Sequence, residues 1–194
     1  MVEWKAIGCS LSGREIFRGF SGEVRRGERV RLSGPSGCGK TTFLRAMYGL
    51  VPHEGNFAFA GNLETTAALV PQSPDFGVEL TAGEFLDEVF SWRANRAARP
   101  TAEAVGEMCR RFRRPSETRG ARAAGLSGGE KQRLALAVAM LLPRELLILD
   151  EPFSALDAET AKAAAEVLLA SGRTILYVTH RDPVEGFATR EVSL

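Results

Sequence analysis

The stretch Gly34-Pro35-Ser36-Gly37-Cys38-Gly39-Lys40-Thr41 fits G-x-x-x-x-G-K-[ST], and it constrains the fold more than any other part of the chain. A loop of this spelling cradles a triphosphate, because glycines let the backbone turn tightly and bring several N–H donors onto one anion. It works between a strand and a helix, whose N-terminus adds further N–H groups and a favourable dipole. Both flanks are readable. Glu28 to Ser33 alternates polar and apolar residues as a strand does, and Thr41 to Leu50 reads as the helix. In that setting Lys40 reaches the β- and γ-phosphates, and the Thr41 hydroxyl helps to hold Mg²⁺.

Composition narrows the partners. The 194 residues suggest one domain, with or without an attached lobe, and a net charge of +1 argues against nucleic acid as a partner. Cys9, Cys38 and Cys109 are odd in number and lack metal-ligand spacing, so reduced thiols of a cytosolic protein are expected. Glu3 and Lys5 interrupt the start, so no secretory leader is expected. The apolar runs fall well short of the ~20 residues that span a bilayer. Work at a membrane would need another polypeptide to do the spanning.

Residues 1–33 read as short strands with turns at Ser12-Gly13 and Arg26-Gly27, and His53 to Gln72 suggests a further strand or two. The middle of the chain differs. Phe85, Leu86, Val89 and Phe90 recur at helical spacing within Thr81 to Trp92, and Thr101 to Arg114 offers a second helix ended by Pro115. Residues 75–90 carry Asp75, Glu79, Glu84, Asp87 and Glu88 with no base, whereas residues 91–125 carry nine arginines against three acids, an excess of six. Two readings are open: solvated helix faces, or a docking surface in which arginine forks meet a partner's carboxylates. Beyond residue 125, Leu146 to Leu149 is the continuous apolar run of a parallel strand covered on both faces. A helix over Glu159 to Ser171, stopped by Gly172, and a strand over Thr174 to Val178 complete a βαβ rhythm.

The buried strand ends in Asp150-Glu151, at the carboxyl edge where α/β sheets bind ligands. Asp150 suits the orientation of Mg²⁺, directly or through water, and Glu151 is the candidate for polarising an attacking water. His180 follows the strand Thr174 to Thr179 and so emerges on the same edge, while His53 reads as a surface residue. Taken alone, Leu126-Ser127-Gly128-Gly129-Glu130 is a helix N-terminus with its cap, leading into a helix over Glu130 to Leu142.

With its continuation Lys131-Gln132-Arg133, the same stretch resembles the LSGGQ signature of the ATP-binding cassette (ABC) superfamily, with Glu130 in place of the commoner Gln. Further matches follow in that family's order. Gln72 resembles the Q-loop glutamine, Asp150-Glu151-Pro152 the Walker B end, Ser154-Ala155-Leu156-Asp157 the D-loop, and His180 the switch histidine. The chain is therefore similar to the nucleotide-binding subunit of an ABC transporter.

The resemblance implies an α/β P-loop NTPase core with a mostly parallel sheet flanked by helices, a small antiparallel β-subdomain and an inserted α-helical subdomain. Residues 1–72 and 126–194 would form the core and 73–125 the helical insert. It implies ATP and Mg²⁺ as ligands, bound by Gly34, Pro35, Ser36, Gly37, Cys38, Gly39, Lys40, Thr41 and Thr42, with Thr41, Gln72 and Asp150 around the metal. Lys40, Gln72, Glu151 and His180 would carry hydrolysis. Ser127, Gly128, Gly129, Glu130 and Asp157 would face the nucleotide of a second ATP-binding subunit, identical or not, in a head-to-tail pair. Separate membrane-spanning permease subunits would be the further partners, and the place of work the cytoplasmic face of the cell membrane. The aromatic that usually stacks on adenine falls near Leu11, where there is none; Phe17 is the nearest. Soluble ABC ATPases of DNA repair or chromosome maintenance carry long insertions between P-loop and signature, and only 86 positions separate Lys40 from Leu126. A partner that binds ATP without cleaving it is the other alternative, though Glu151 and His180 are both present.

Overall fold

A computed structural model describes residues 1–76, 80–112, 122, 125–180 and 182–194. Its centre is a five-stranded sheet in the order β5-β6-β7-β3-β8, all pairs parallel. The strands are β3 (Arg29–Ser33), β5 (Ala67–Val70), β6 (Leu146–Asp150), β7 (Thr174–Val178) and β8 (Arg190–Ser193). Every residue of β6 and β7 is buried, as continuous apolar runs require when helices cover both faces.

The two-residue period of a strand divides those runs between two cores. Leu147, Leu149, Ile175 and Tyr177 join one face, packed by α5 (Gly128–Leu141) and α6 (Ala158–Ala170). Leu146, Ile148, Leu176 and Val178 join the other, with Phe43, Leu44 and Met47 of α1 (Lys40–Met47). A second sheet, β2-β1-β4, is antiparallel and closes that second core through Val2, Trp4, Ile7 and Val24. Its strands are β1 (Val2–Leu11), β2 (Arg14–Val24) and β4 (Glu54–Phe59).

The opening region departs from the expectation of short strands: β1 and β2 run 10 and 11 residues. They form one long hairpin whose turn, Ser12-Gly13, has both residues at positive φ, 50° and 77°, the twist that suits paired strands. Between β4 and β5 lies a one-turn helix, α2 (Leu63–Thr66), which periodicity did not reveal because it is shorter than the window that periodicity needs. The helix expected over Thr81 to Trp92 is α3 (Ala82–Ser91), started by a Thr81–Glu84 capping box. The next is α4 (Ala102–Arg111); Pro115, expected to end it, lies outside the described residues. Their apolar faces (Leu86, Val89, Phe90, Val105 and Cys109) meet Leu134 and Val138 of α5 in a third cluster. Among the described residues, no helix is long and apolar enough to cross a membrane.

Candidate nucleotide site

The P-loop leaves β3 at the carboxyl edge of the parallel sheet and enters α1 at Lys40. Gly39 is the hinge of that entry, with φ 105°. A Cβ there would stand 2.6 Å from Ile16 Cγ2 and 2.8 Å from Phe17 Cδ1, so the loop can close over β2 only with glycine. Lys40 folds back on its own loop, donating to the Gly34 carbonyl at 2.8 Å and the Pro35 carbonyl at 2.9 Å. Its ammonium thus already sits inside the curl of the loop, 3.9 Å from Cys38 Sγ.

The sheet brings the expected partners to this loop. The Thr41 hydroxyl donates to Asp150 Oδ1 at 3.1 Å, across 109 positions of sequence. One cleft of about 360 Å³ takes in Ser36, Gly37, Lys40, Thr41 and Thr42 from the loop and Gln72, Glu151 and His180 from the facing strand ends. His180 Nε2 stands 3.5 Å from Glu151 Oε1; the histidine is largely exposed and the glutamate nearly enclosed. Glu151 itself has a left-handed backbone, φ 48°, and donates its N–H to the Val178 carbonyl at 2.9 Å. A non-glycine residue in that region carries strain of about 1–3 kcal/mol, and it falls on the residue singled out for catalysis.

Both carboxylates are buried, Asp150 to 4% and Glu151 to 7% exposure. Burial pushes each carboxyl up from its ordinary range, outweighing the Thr41 hydrogen bond at Asp150 and the charge and backbone bond of His180 at Glu151. A buried acid held against a P-loop hydroxyl suits a hard cation that keeps its own waters.

Other expected positions stand elsewhere. Ser127 is the N-cap of α5, in a capping box with Glu130: the Glu130 carboxylate accepts from Ser127 N at 2.8 Å and Oγ at 2.7 Å. The helix therefore begins at Gly128, two residues earlier than expected. Asp157 caps α6 through Thr160, which holds its carboxyl low. Neither Asp157 nor residues 127–130 line the P-loop cleft of their own chain. Phe17 packs edge-on against Phe43 at 6.2 Å, and its neighbour Ile16 lines the cleft with Val178 instead. Those two apolar wall residues were missed; the alternation within β2 could have marked Ile16, since strand neighbours face opposite ways.

A second, larger concavity of about 690 Å³ opens beside Pro71 and Pro74, which flank Gln72. Its wall is apolar, with Leu69, Phe76, Phe85, Val89 and Trp92, and Trp92 remains 57% exposed. The arginine-rich stretch is partly satisfied internally: Arg99 pairs with Asp87, and Arg110 and Arg111 with Glu107. That supports solvated helix faces for these three, while Arg113, Arg114 and Arg119 lie outside the described residues.

Residues 17–154 match the family model described as ABC transporter. The chain is 32% identical over 191 residues to the ATP-binding protein Uup of Haemophilus influenzae, covering 97% of this chain and 29% of that one. It is 34% identical over 197 residues to the Fe(3+) ions import ATP-binding protein FbpC 1 of Rhodococcus jostii, covering 94% and 56%. It thus spans about half or less of the length of these curated relatives. Among solved structures, an ATP-binding subunit of an ABC transporter superposes with a TM-score of 0.86 at 27% identity, covering all of this chain and 85% of that one. A P-loop that meets its acidic strand end across a parallel sheet, within a match of this extent, places the chain in the ABC transporter family as one of its ATP-binding domains.

Proposed function

We propose that this chain binds Mg²⁺-ATP at the P-loop cleft and hydrolyses it in a head-to-tail pair with a second ATP-binding subunit, driving transport by separate membrane-spanning subunits at the cytoplasmic face. The observation that carries the reading is the convergence of Thr41, Asp150, Glu151 and His180 on one edge of the sheet. Lys40 exchanges its two loop carbonyls for phosphate oxygens, and the loop's backbone N–H groups hold the rest of the triphosphate. Thr41 and Asp150, with Gln72, offer the oxygen ligands for Mg²⁺, which when bound neutralises charge building on the phosphate oxygens. Among the described residues no group of three or more His, Cys, Asp or Glu forms a metal cage, which fits an ion shared with substrate phosphates. Glu151 accepts a hydrogen bond from the attacking water and His180 fixes its direction; the chemistry is positioning and charge stabilisation.

In the pair, Ser127 and the N–H groups of Gly128 and Gly129 face the partner's γ-phosphate at the positive end of α5, with Glu130 and Asp157 beside them. Residues 73–125 act as the helical lobe. The apolar concavity next to Gln72 receives the membrane subunit, so that occupancy of the nucleotide cleft is felt there.

The test is Glu151→Gln. ATP binding should persist while turnover falls about a hundredfold or more, and the variant should accumulate as a nucleotide-bound dimer in size-exclusion chromatography. Wild-type turnover in that variant ends the hydrolytic assignment. The likeness to Uup, whose name carries no transport, favours a second reading as an ABC ATPase without a membrane partner. Purification of the tagged chain from membranes together with an integral protein decides between them.

A further inference from the structure

The His180 side chain is 79% exposed, yet it stands 3.5 Å from Glu151. Where that imidazole stands depends on how the backbone carrying it is held. Two residues on, Asp182 supplies an anchor. Its Oδ1 accepts from the Tyr177 hydroxyl at 2.8 Å, and its Oδ2 from Arg31 at 3.2 Å. Arg31 also pairs with Glu191.

Strand register assembles this anchor from neighbouring elements. Tyr177 on β7 lies beside Arg31 on β3, and Arg31 beside Glu191 on β8, so three neighbouring strands present one row of side chains to the segment after β7. Tyr177 is fully buried, its ring edge-on to Phe187 at 5.1 Å. Burial and the nearby carboxylate push its phenol far up, so it remains a donor. The segment reaches Glu151 through the imidazole, Nε2 to Oε1.

We propose that Asp182 is a positioning residue: it ties the segment after β7 to Tyr177 and Arg31, and thereby holds His180 and the Glu151 carboxylate in register with the attacking water. The proposal rests on the hydrolytic reading above for its kinetic consequence, but its geometric part stands without it.

The experiment measures ATP hydrolysis by the full chain carrying Asp182→Asn, in the wild-type and His180→Ala backgrounds. Displacement of a reacting group by about 1 Å costs up to about a hundredfold, so kcat should fall between ten- and a hundredfold while KM for ATP stays within about twofold. In the His180→Ala background the same substitution should cause no further fall, because the group it positions is already gone. Tyr177→Phe removes one hydrogen bond without emptying the core and should lower kcat in the same direction by less, which keeps the test alive if Asp182→Asn folds poorly. Two histidines make ring NMR readable: Asp182→Asn and Tyr177→Phe should move the His180 resonances and leave those of His53 in place. Equal losses in both backgrounds, or unmoved His180 resonances, overturn the proposal. A wild-type chain that does not hydrolyse ATP removes the hydrolytic reading, and the NMR result then decides the positioning claim by itself.

Discussion

Gly128 and Gly129 are adjacent, begin the same helix and carry the same resemblance, yet alanine should act on them with opposite signs. In a helix, alanine is favoured over glycine by about 0.5–1 kcal/mol, because the unfolded chain loses less freedom on ordering. At Gly128 nothing opposes that gain, since a Cβ would meet only the Ala155 Cβ at 3.9 Å, ordinary contact. At Gly129 a Cβ would stand 2.8 Å from the Ala155 carbonyl oxygen, a backbone atom that no rotamer change can move away. Ala155 lies in the tight turn after Asp150-Glu151, where Ser154 N and Oγ donate to the Glu151 carbonyl and Leu156 N to that of Phe153. Yielding there disturbs hydrogen bonds already made, and overpacking of this kind costs about 1–3 kcal/mol. Gly128→Ala should therefore stabilise by about 0.5–1 kcal/mol, and Gly129→Ala should destabilise by about 1 kcal/mol net. For a chain of this size that separates the melting temperatures by about 4–8 °C, readable by thermal melts of the isolated chain without nucleotide. Equal midpoints, or Gly129→Ala as the more stable variant, would refute the argument that a fixed carbonyl sets this spacing. Gly128→Ala then serves as a stable variant in which lost ATPase activity reports on the partner's nucleotide rather than on folding.

The raised carboxyls give a pH dependence with a definite sign. Their folded pKa values lie above the unfolded ones, so the cost of ionising them is absent below about pH 4, grows as pH rises through the unfolded value, and is complete above the folded one. Without nucleotide, Asp150→Asn should melt above the wild type at pH 7 and converge with it near pH 4; a lower melting temperature at pH 7 contradicts burial as the dominant cause. Lys40→Ala should weaken ATP binding itself, by about 1.5–3 kcal/mol for a lost charged hydrogen-bond donor, measured by titration calorimetry; unchanged affinity dissociates the loop from the nucleotide. Trp92→Glu places a charge on the exposed rim of the larger concavity. It should abolish co-purification with a membrane subunit while the chain's own nucleotide affinity is unchanged, and retained co-purification assigns the contact elsewhere.

The residues of the candidate site were legible because they are written locally. The P-loop spelling, the Leu146–Leu149 run delivering Asp150-Glu151, and the strand before His180 each depend on residues a few positions apart, where backbone reach and side-chain period decide the outcome. Helix starts were legible to within two residues for the same reason: Thr81, Ser127 and Asp157 cap through neighbours three positions on. What tertiary structure decided was adjacency. No local rule inserts β3 between β7 and β8, brings Thr41 to Asp150, or lays Tyr177, Arg31 and Glu191 in one row for Asp182 to grip. Those facts come from strand pairing and from the division of β6 and β7 between two cores. Both are settled by which surfaces can be buried together, a property of the folded chain as a whole and of no single segment.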